Sequence, residues 1–163
     1  MSGAGFILAI NLLVAGLFAT AFILIAVYDR TCVAARWFAL AYLLGIGNLA
    51  IEAVVPSLDV FKPAVLAAGL CFVAALAALN VGLARKYRTR IPSALLAALF
   101  VASAAIKIAI LDMPRDSPLR MFLYQMPYFM MLMTGAGIVI VARSRRVVDR
   151  SWLRRFRSTH CTS

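Results

Sequence analysis

Four polar side chains stand inside long apolar stretches of the sequence, where each needs a chemical reason. Asn48 and Glu52 lie in the stretch 37–56, while Lys107 and Gln125 interrupt two later stretches. Placing a charged group in lipid costs free energy, so a charged residue inside a membrane span usually belongs to an ion pair, a proton relay or a solute-binding site. We therefore predict an intramembrane polar cluster of Asn48, Glu52, Lys107 and Gln125, in which Glu52 pairs with Lys107.

Two interpretations of this predicted cluster are open. The functional interpretation is an extracytoplasmic sensory pocket or a proton-coupled site. The structural interpretation is an ion pair that fixes the packing of two helices, with Lys107 extending outward to the membrane surface. The structural interpretation is favoured because both charges are shallow and no second acidic residue continues a path inward.

No other residue pattern indicates catalysis or a bound cofactor. The cysteines Cys32, Cys71 and Cys161 are far apart, and no cluster of histidine, cysteine and carboxylate has the spacing of a metal site. A Gly-rich phosphate loop and a Ser/His/Asp arrangement are absent from the sequence as well. We expect no catalytic residue, no metal and no cofactor in this chain, and hence no hydrolase or nucleotide-processing activity of its own.

The elements that must position these residues are membrane-spanning helices. Only 14% of the residues are charged and the mean hydropathy is +0.95, whereas soluble domains carry about 25% charged residues. A hydrocarbon core of about 30 Å takes ~20 helical residues to cross, and a helix satisfies its backbone polar groups internally. We predict an all-α polytopic membrane protein, a bundle of five transmembrane helices over 1–142 followed by a basic tail over 143–163. The predicted spans are 5–28, 37–55, 64–84, 92–111 and 121–142.

The distribution of basic residues predicts the orientation of these spans. Thirteen Lys and Arg residues lie in the loops 29–36 and 85–91 and in the tail, but only three lie in the loops on the opposite side. The positive-inside rule then puts the N-terminus outside and the tail in the cytoplasm, with the chain crossing the membrane several times. The net charge of +11 is therefore a topology signal, and no nucleic-acid partner is expected.

The tail has an amphipathic pattern. Val148, Trp152 and Phe156 are spaced four apart, with arginines on the other faces. This spacing predicts a basic helix that either continues from the fifth span or lies on the inner leaflet of the bilayer. The residues predicted to contact anionic lipids at the cytoplasmic face are Arg145, Arg146, Trp152, Arg154 and Arg155.

Small residues repeat every four positions in two of the predicted spans. The third span contains Ala74, Ala78 and Gly82, and the fourth contains Ala94, Ala98 and Ala102. Such faces allow two helices to approach closely. They serve either packing within one bundle or the formation of a homodimer, and both alternatives stay open.

Two stretches, ARWFALAYLLGIGNLAIEAVVPSL and VLAAGLCFVAALAALNVGLARKYRTR, resemble the N-terminal membrane region of bacterial GGDEF-type diguanylate cyclases. In that family an R-W-x-A-L-[GA]-[YF] motif opens the second span and a basic loop follows the third. The last span then leads through a basic helix into a cytoplasmic cyclase. The resemblance covers roughly residues 5–150 and implies the membrane input region of a signal-transduction protein that crosses the inner membrane of a bacterial cell several times.

The same comparison shows one departure, since no GGDEF motif, guanine-nucleotide site or set of Mg²⁺ carboxylates occurs in this sequence. The synthesis of cyclic di-GMP is therefore not carried over to any residue of the chain. We expect a non-catalytic integral membrane sensory or regulatory module, either a stand-alone part or a truncated product of a longer cyclase. The alternative is a small membrane carrier or channel subunit that uses Asn48, Glu52 and Lys107.

Overall fold

In the computed structural model, all the regular secondary structure of the described residues is α-helical. The described backbone covers 3–54, 61–90, 93–111, 114 and 117–159, and the described side chains cover 5–54, 63–90, 93–111, 114 and 117–144. The prediction of an all-α fold is confirmed. The five helices are α1 (Gly3–Tyr28), α2 (Val33–Val54), α3 (Phe61–Tyr87), α4 (Ser93–Ala109) and α5 (Pro118–Thr159).

Four of the five helices are long and apolar enough to cross a membrane, namely α1, α2, α3 and the part of α5 up to Ser144. Helix α4 has 17 residues and is therefore about 26 Å long, somewhat less than the ~30 Å of a hydrocarbon core. Helix α5 does not end near residue 142 but continues without a break to Thr159. Of the two arrangements predicted for the tail, the backbone adopts the one that continues from the fifth segment.

The surface of α1 explains why this bundle belongs in an apolar environment. Large apolar side chains such as Leu13, Leu17 and Leu24 are exposed, and Ala19 is the only buried apolar residue among the described side chains of α1. A helix that is apolar on every side but is not covered by protein would expose a large hydrophobic surface to water. Lipid is the solvent in which such a surface is stable.

The helices pack in the order of the chain. Helix α1 packs against α2, α2 against α3, and α3 against both α4 and α5, which also contact each other. Helices α1 and α2 are antiparallel, because Phe18 stacks on Tyr42 while Phe22 lies against Phe38. No pair of contacting elements joins α2 to α4 within the described residues, so α3 separates them.

The main apolar core lies where α3, α4 and α5 meet. It contains Val73 and Leu76 of α3, Leu96 of α4, and Tyr128 and Met131 of α5. Both α3 and α5 run in the same direction, since Phe72 contacts Tyr128 while Asn80, farther along α3, contacts Met131. This three-helix core holds one end of α5 in place.

The two faces of small residues have different environments. On α3, Ala78 is buried, and a side chain at Gly82 would collide with the Phe38 ring of α2. On α4, Ala94, Ala98 and Ala102 are all exposed. The face on α3 therefore serves packing within this chain, while the face on α4 is open to lipid or to another protein.

Candidate functional site

Among the charged residues whose side chains the structure describes, Lys107 is the one that is buried. It lies near the end of α4 and is only 4% exposed. A lysine at a helix end in a membrane usually extends toward the interface, but this one turns into the junction of α3, α4 and α5. Because an unpaired ammonium group is costly in an apolar core, its surroundings have to compensate for the lost hydration.

Two tyrosines of α5 surround the Lys107 ammonium group. Its Nζ atom donates a hydrogen bond of 2.6 Å to the Tyr128 hydroxyl. The same atom lies 4.0 Å from the ring centroid of Tyr124 and 4.5 Å from that of Tyr128. Both distances fit cation–π attraction, which is worth about 2 kcal/mol or more when the cation is desolvated. We call Lys107, Tyr124 and Tyr128 the lysine–tyrosine site.

Gly69 on α3 makes room for the lysine side chain. A Cβ atom added at Gly69 would lie 2.7 Å from the Cε and Nζ atoms of Lys107 and 2.8 Å from its Cδ atom. Real Cβ atoms do not approach other atoms that closely. The absence of a side chain at residue 69 is therefore what lets Lys107 pass over α3 and reach α5.

The second predicted charge, Glu52, does not form a close ion pair with Lys107. Glu52 is exposed on α2, and no carboxylate of the described residues lies within the 4.0 Å of a salt bridge from the Lys107 ammonium group. The negative charge of Glu52 does contribute electrostatically at Lys107 over a longer distance. The physical reason for the separation is that α3 lies between α2 and α4.

Asn48 belongs to a different place in the fold. It is 7% exposed, and its Oδ1 atom is buried without a hydrogen-bond partner among the described residues. Asn48 and Asn11 line a cavity of about 300 Å³ between α1, α2 and α3, whose other walls are mostly apolar. Burying a carbonyl oxygen without a partner is costly, and a donor brought close to Asn48 would relieve that cost.

The fourth predicted residue, Gln125, is exposed. It lines a separate surface depression together with Arg120, Met121 and Tyr124. The four predicted residues thus do not form one hydrogen-bonded cluster. The side chains predicted to contact lipid, those of Arg145, Arg146, Trp152, Arg154 and Arg155, lie outside the described residues, although the backbone there is helical.

The two tyrosines were not among the predicted site residues, although the sequence contains a signal for them. They are spaced four apart, which puts them on one face of α5. Ser103, one helical turn before Lys107, does not join the site, because its hydroxyl donates to the Leu99 carbonyl of its own helix.

Asn80 provides a polar link between α3 and α5, in addition to the Lys107 link between α4 and α5. Its amide nitrogen donates hydrogen bonds to the carbonyl oxygens of Leu76, at 3.0 Å, and Met131, at 2.9 Å. A Cβ atom at Gly135 would lie 2.8 Å from the Asn80 Oδ1 atom, so this glycine permits the close approach. Helix α5 is therefore joined by a polar contact to α4 at Tyr128 and to α3 at Met131.

The lysine–tyrosine site can hold and orient a positive charge, and it contains no pair of groups arranged for nucleophilic catalysis. Within the described part of the chain no three His, Cys, Asp or Glu side chains come together as a metal site. The comparisons with known proteins add no assignment, because no family model, no curated protein and no solved structure matches the chain.

Proposed function

We propose that this chain is a non-catalytic membrane sensory or regulatory module whose output element is α5. The observation that carries this proposal is the continuity of α5. One unbroken helix passes through the lysine–tyrosine site and continues beyond Ser144, where its apolar stretch ends, to Thr159. At a rise of about 1.5 Å per residue, roughly 45 Å of helix separates Tyr128 from Thr159. A displacement at one end is thereby transmitted to the other.

The lysine–tyrosine site lies next to a weak point in this helix. Pro127 is inside α5 and has no N–H group, so one backbone hydrogen bond is missing there and the helix bends more easily. Tyr128 follows directly and is held by Lys107 of α4. In our proposal the contact between Lys107 and Tyr128 sets the direction of α5 beyond Pro127.

The cavity beside Asn48 is the proposed entry point for a signal. Its apolar walls and its unpartnered Asn48 oxygen suit a small lipophilic molecule with one hydroxyl or N–H donor. Phe72 lines this cavity and also contacts Tyr128 edge to face. A ligand in the cavity would therefore act on the lysine–tyrosine site through a single side chain.

The proposed membrane arrangement has five spans, with the N-terminus outside and the C-terminus in the cytoplasm of a bacterial cell. The asymmetry of basic residues supports this orientation. Slight thinning of the bilayer or nearby polar residues accommodate the short helix α4. Reporter fusions in the segment 55–60 and at Arg88 test the arrangement, and we expect them to report opposite sides of the inner membrane.

The resemblance to the membrane region of GGDEF-type cyclases remains part of this proposal. In that family a basic helix leads from the last span to the catalytic domain, and α5 likewise continues into the basic segment RSRRVVDRSWLRRFR. The carrier alternative receives less support from the geometry. It needs Asn48, Glu52 and Lys107 along one route, but α3 lies between the first two and Lys107.

A chimera tests the regulatory proposal. We propose to fuse a soluble cyclase domain after residue 157 and to measure cyclic di-GMP in cells with the wild-type chain, Lys107→Met, Tyr128→Phe and Gly137→Ala. A Cβ atom at Gly137 meets nothing within 4 Å, which makes this variant the control. We expect both site variants to change the output by a similar factor. Equal output from all four chains would contradict a regulatory role of the site, and Glu52-dependent solute flux in liposomes would favour the carrier.

A further inference from the structure

A second cavity, of about 560 Å³, lies between the end of α3 and the start of α4. Three arginines line it: Arg85, Arg88 and Arg90. All three are exposed, and no hydrogen bond or ion pair joins their side chains to any described residue. Three like charges gathered at one cavity repel each other unless an anion lies between them. We call this place the arginine cavity.

The hydrogen-bonding groups of the arginine cavity also point to an anion. The Thr89 Oγ1 atom is buried and has no hydrogen-bond partner within the described part of the chain. Ser93, the first residue of α4, lines the cavity too. The first backbone N–H groups of a helix lack acceptors and favour negative charge. A phosphate group in the cavity would accept charge-assisted hydrogen bonds from the arginine side chains.

The backbone of the loop is adapted to present these groups. Arg88 has a φ angle of 53°, a left-handed conformation that glycine usually occupies at the end of a helix. The Thr89 N–H bonds back to the Ala84 carbonyl at 3.0 Å, and the Arg88 N–H bonds to the Arg85 carbonyl at 3.4 Å. A non-glycine residue in this conformation is uncommon, and here it is one of the three arginines that line the cavity.

The rest of the lining distinguishes a lipid from a soluble anion. Val81, Ala84 and Leu96 form apolar walls next to the arginines. Both helices that supply these walls are apolar over most of their length. We propose that the arginine cavity binds the phosphate group of an anionic phospholipid, with the start of an acyl chain along its apolar wall. Basic pockets between membrane helices bind such headgroups in general.

The test measures lipid binding to the intact chain. The full-length protein in dodecyl maltoside is titrated with dioleoyl phosphatidylglycerol, and native mass spectrometry gives the dissociation constant of the first bound lipid. We expect the double change Arg85→Gln/Arg90→Gln to weaken this binding roughly thirtyfold, about fivefold for each arginine removed. The double change Arg30→Gln/Arg143→Gln removes the same charge outside the cavity and should leave the binding within about twofold of wild type.

Two further variants separate binding from folding. Thr89→Val removes the unpartnered hydroxyl without changing the size of the side chain, so it should weaken lipid binding a few-fold while the lipid-free protein is as stable as wild type or more so. Arg88→Gly removes a guanidinium group but relieves the left-handed strain, and it should have the same pair of effects. A variant that lowers stability and leaves lipid binding unchanged would overturn the assignment.

The choice of ligand supplies the remaining outcomes. Dioleoyl phosphatidylcholine in place of phosphatidylglycerol should bind at least tenfold more weakly, because its headgroup has no net charge. Equal binding of the two lipids would overturn the proposal. So would displacement of phosphatidylglycerol by millimolar inorganic phosphate, since the cavity would then be a site for free phosphate. Equal losses in the cavity variant and the charge-matched control would show diffuse surface attraction and would also overturn it.

Discussion

The Lys107 ammonium group donates a hydrogen bond of 2.6 Å to the Tyr128 hydroxyl and so joins α4 to α5. Lys107 is a charge placed in the interior of an apolar bundle, and Tyr128 directly follows the proline of the longest helix. The ring faces of Tyr124 and Tyr128 compensate for part of the hydration that the ammonium group has lost. This relationship gives Lys107 a partner on α5 rather than on α2.

The first prediction concerns the energetic coupling of this pair. Lys107→Met and Tyr128→Phe should each lower the free energy of unfolding in detergent, and the double variant should lose less than the sum. We expect a coupling of about 1.5–3 kcal/mol, the range for a hydrogen bond to a charged group. Sodium dodecyl sulfate titration followed by circular dichroism gives these values. A parallel cycle of Lys107→Met with Glu52→Gln should give a smaller coupling, and a larger one would contradict this assignment of partners.

A second prediction separates the ring of Tyr124 from its hydroxyl group. Tyr124→Phe keeps an aromatic face 4.0 Å from the Lys107 nitrogen, whereas Tyr124→Leu removes it. We expect Tyr124→Leu to be less stable than Tyr124→Phe by about 1–2 kcal/mol, the contribution of a partly desolvated cation–π contact. In the Lys107→Met background the difference between the two variants should shrink. If the stability difference between the two variants stays the same in that background, the Tyr124 ring contributes through packing and not through attraction to the Lys107 ammonium group.

The limits of sequence-based inference are visible in this site. Hydropathy predicted all five helical segments, whereas the favoured interpretation had Lys107 extending outward and the fold instead buries it between α3, α4 and α5. Depth alone does not determine which helix is the neighbour of α4, and α5 rather than α2 packs there. Tyr124 and Tyr128 resemble ordinary membrane aromatics until their spacing is combined with that neighbour. The cavity beside Asn48 depends on three helices at once and has no local sequence pattern.

A third prediction uses Gly69 to displace Lys107 without changing either partner. Gly69→Ala adds a methyl group where the Lys107 Cε and Nζ atoms would be 2.7 Å away. The lysine has to move, so this variant should lose about as much stability as Tyr128→Phe, roughly 1–3 kcal/mol. The combination of Gly69→Ala with Tyr128→Phe should cost little more than either change alone.

The control for that prediction is Gly45→Ala on α2, where an added Cβ atom meets nothing within 4 Å. It should leave stability unchanged or raise it by up to about 1 kcal/mol, because alanine favours the helix. If Gly45→Ala and Gly69→Ala lower the free energy of unfolding equally, the effect at residue 69 comes from the helix backbone and not from displacement of Lys107.

A fourth prediction concerns the polar link between α3 and α5. Asn80→Leu keeps the approximate volume of the side chain but removes the hydrogen bond to the Met131 carbonyl. We expect a loss of about 0.6 kcal/mol and at most about 1.7 kcal/mol, the average and the largest value for hydrogen bonds between membrane helices. The buried Asn80 Oδ1 atom, which has no partner among the described residues, offsets part of the loss when it is removed. In the same unfolding titration, the stability losses of Asn80→Leu and Tyr128→Phe should nearly add in the double variant. The reason is that the Asn80–Met131 and Lys107–Tyr128 links lie at different ends of the core.

The most direct test of the proposed role of α5 is a distance measurement between spin labels at Val33→Cys on α2 and Ser144→Cys on α5. Both residues are exposed, and the native cysteines at 32, 71 and 161 are replaced by serine. Double electron–electron resonance in lipid nanodiscs compares the otherwise unchanged chain with Lys107→Met, Tyr128→Phe and Gly137→Ala. If the lysine–tyrosine contact fixes α5 beyond Pro127, the first two variants shift or broaden the distance distribution alike and Gly137→Ala does not. The same distribution in all four chains would contradict that role.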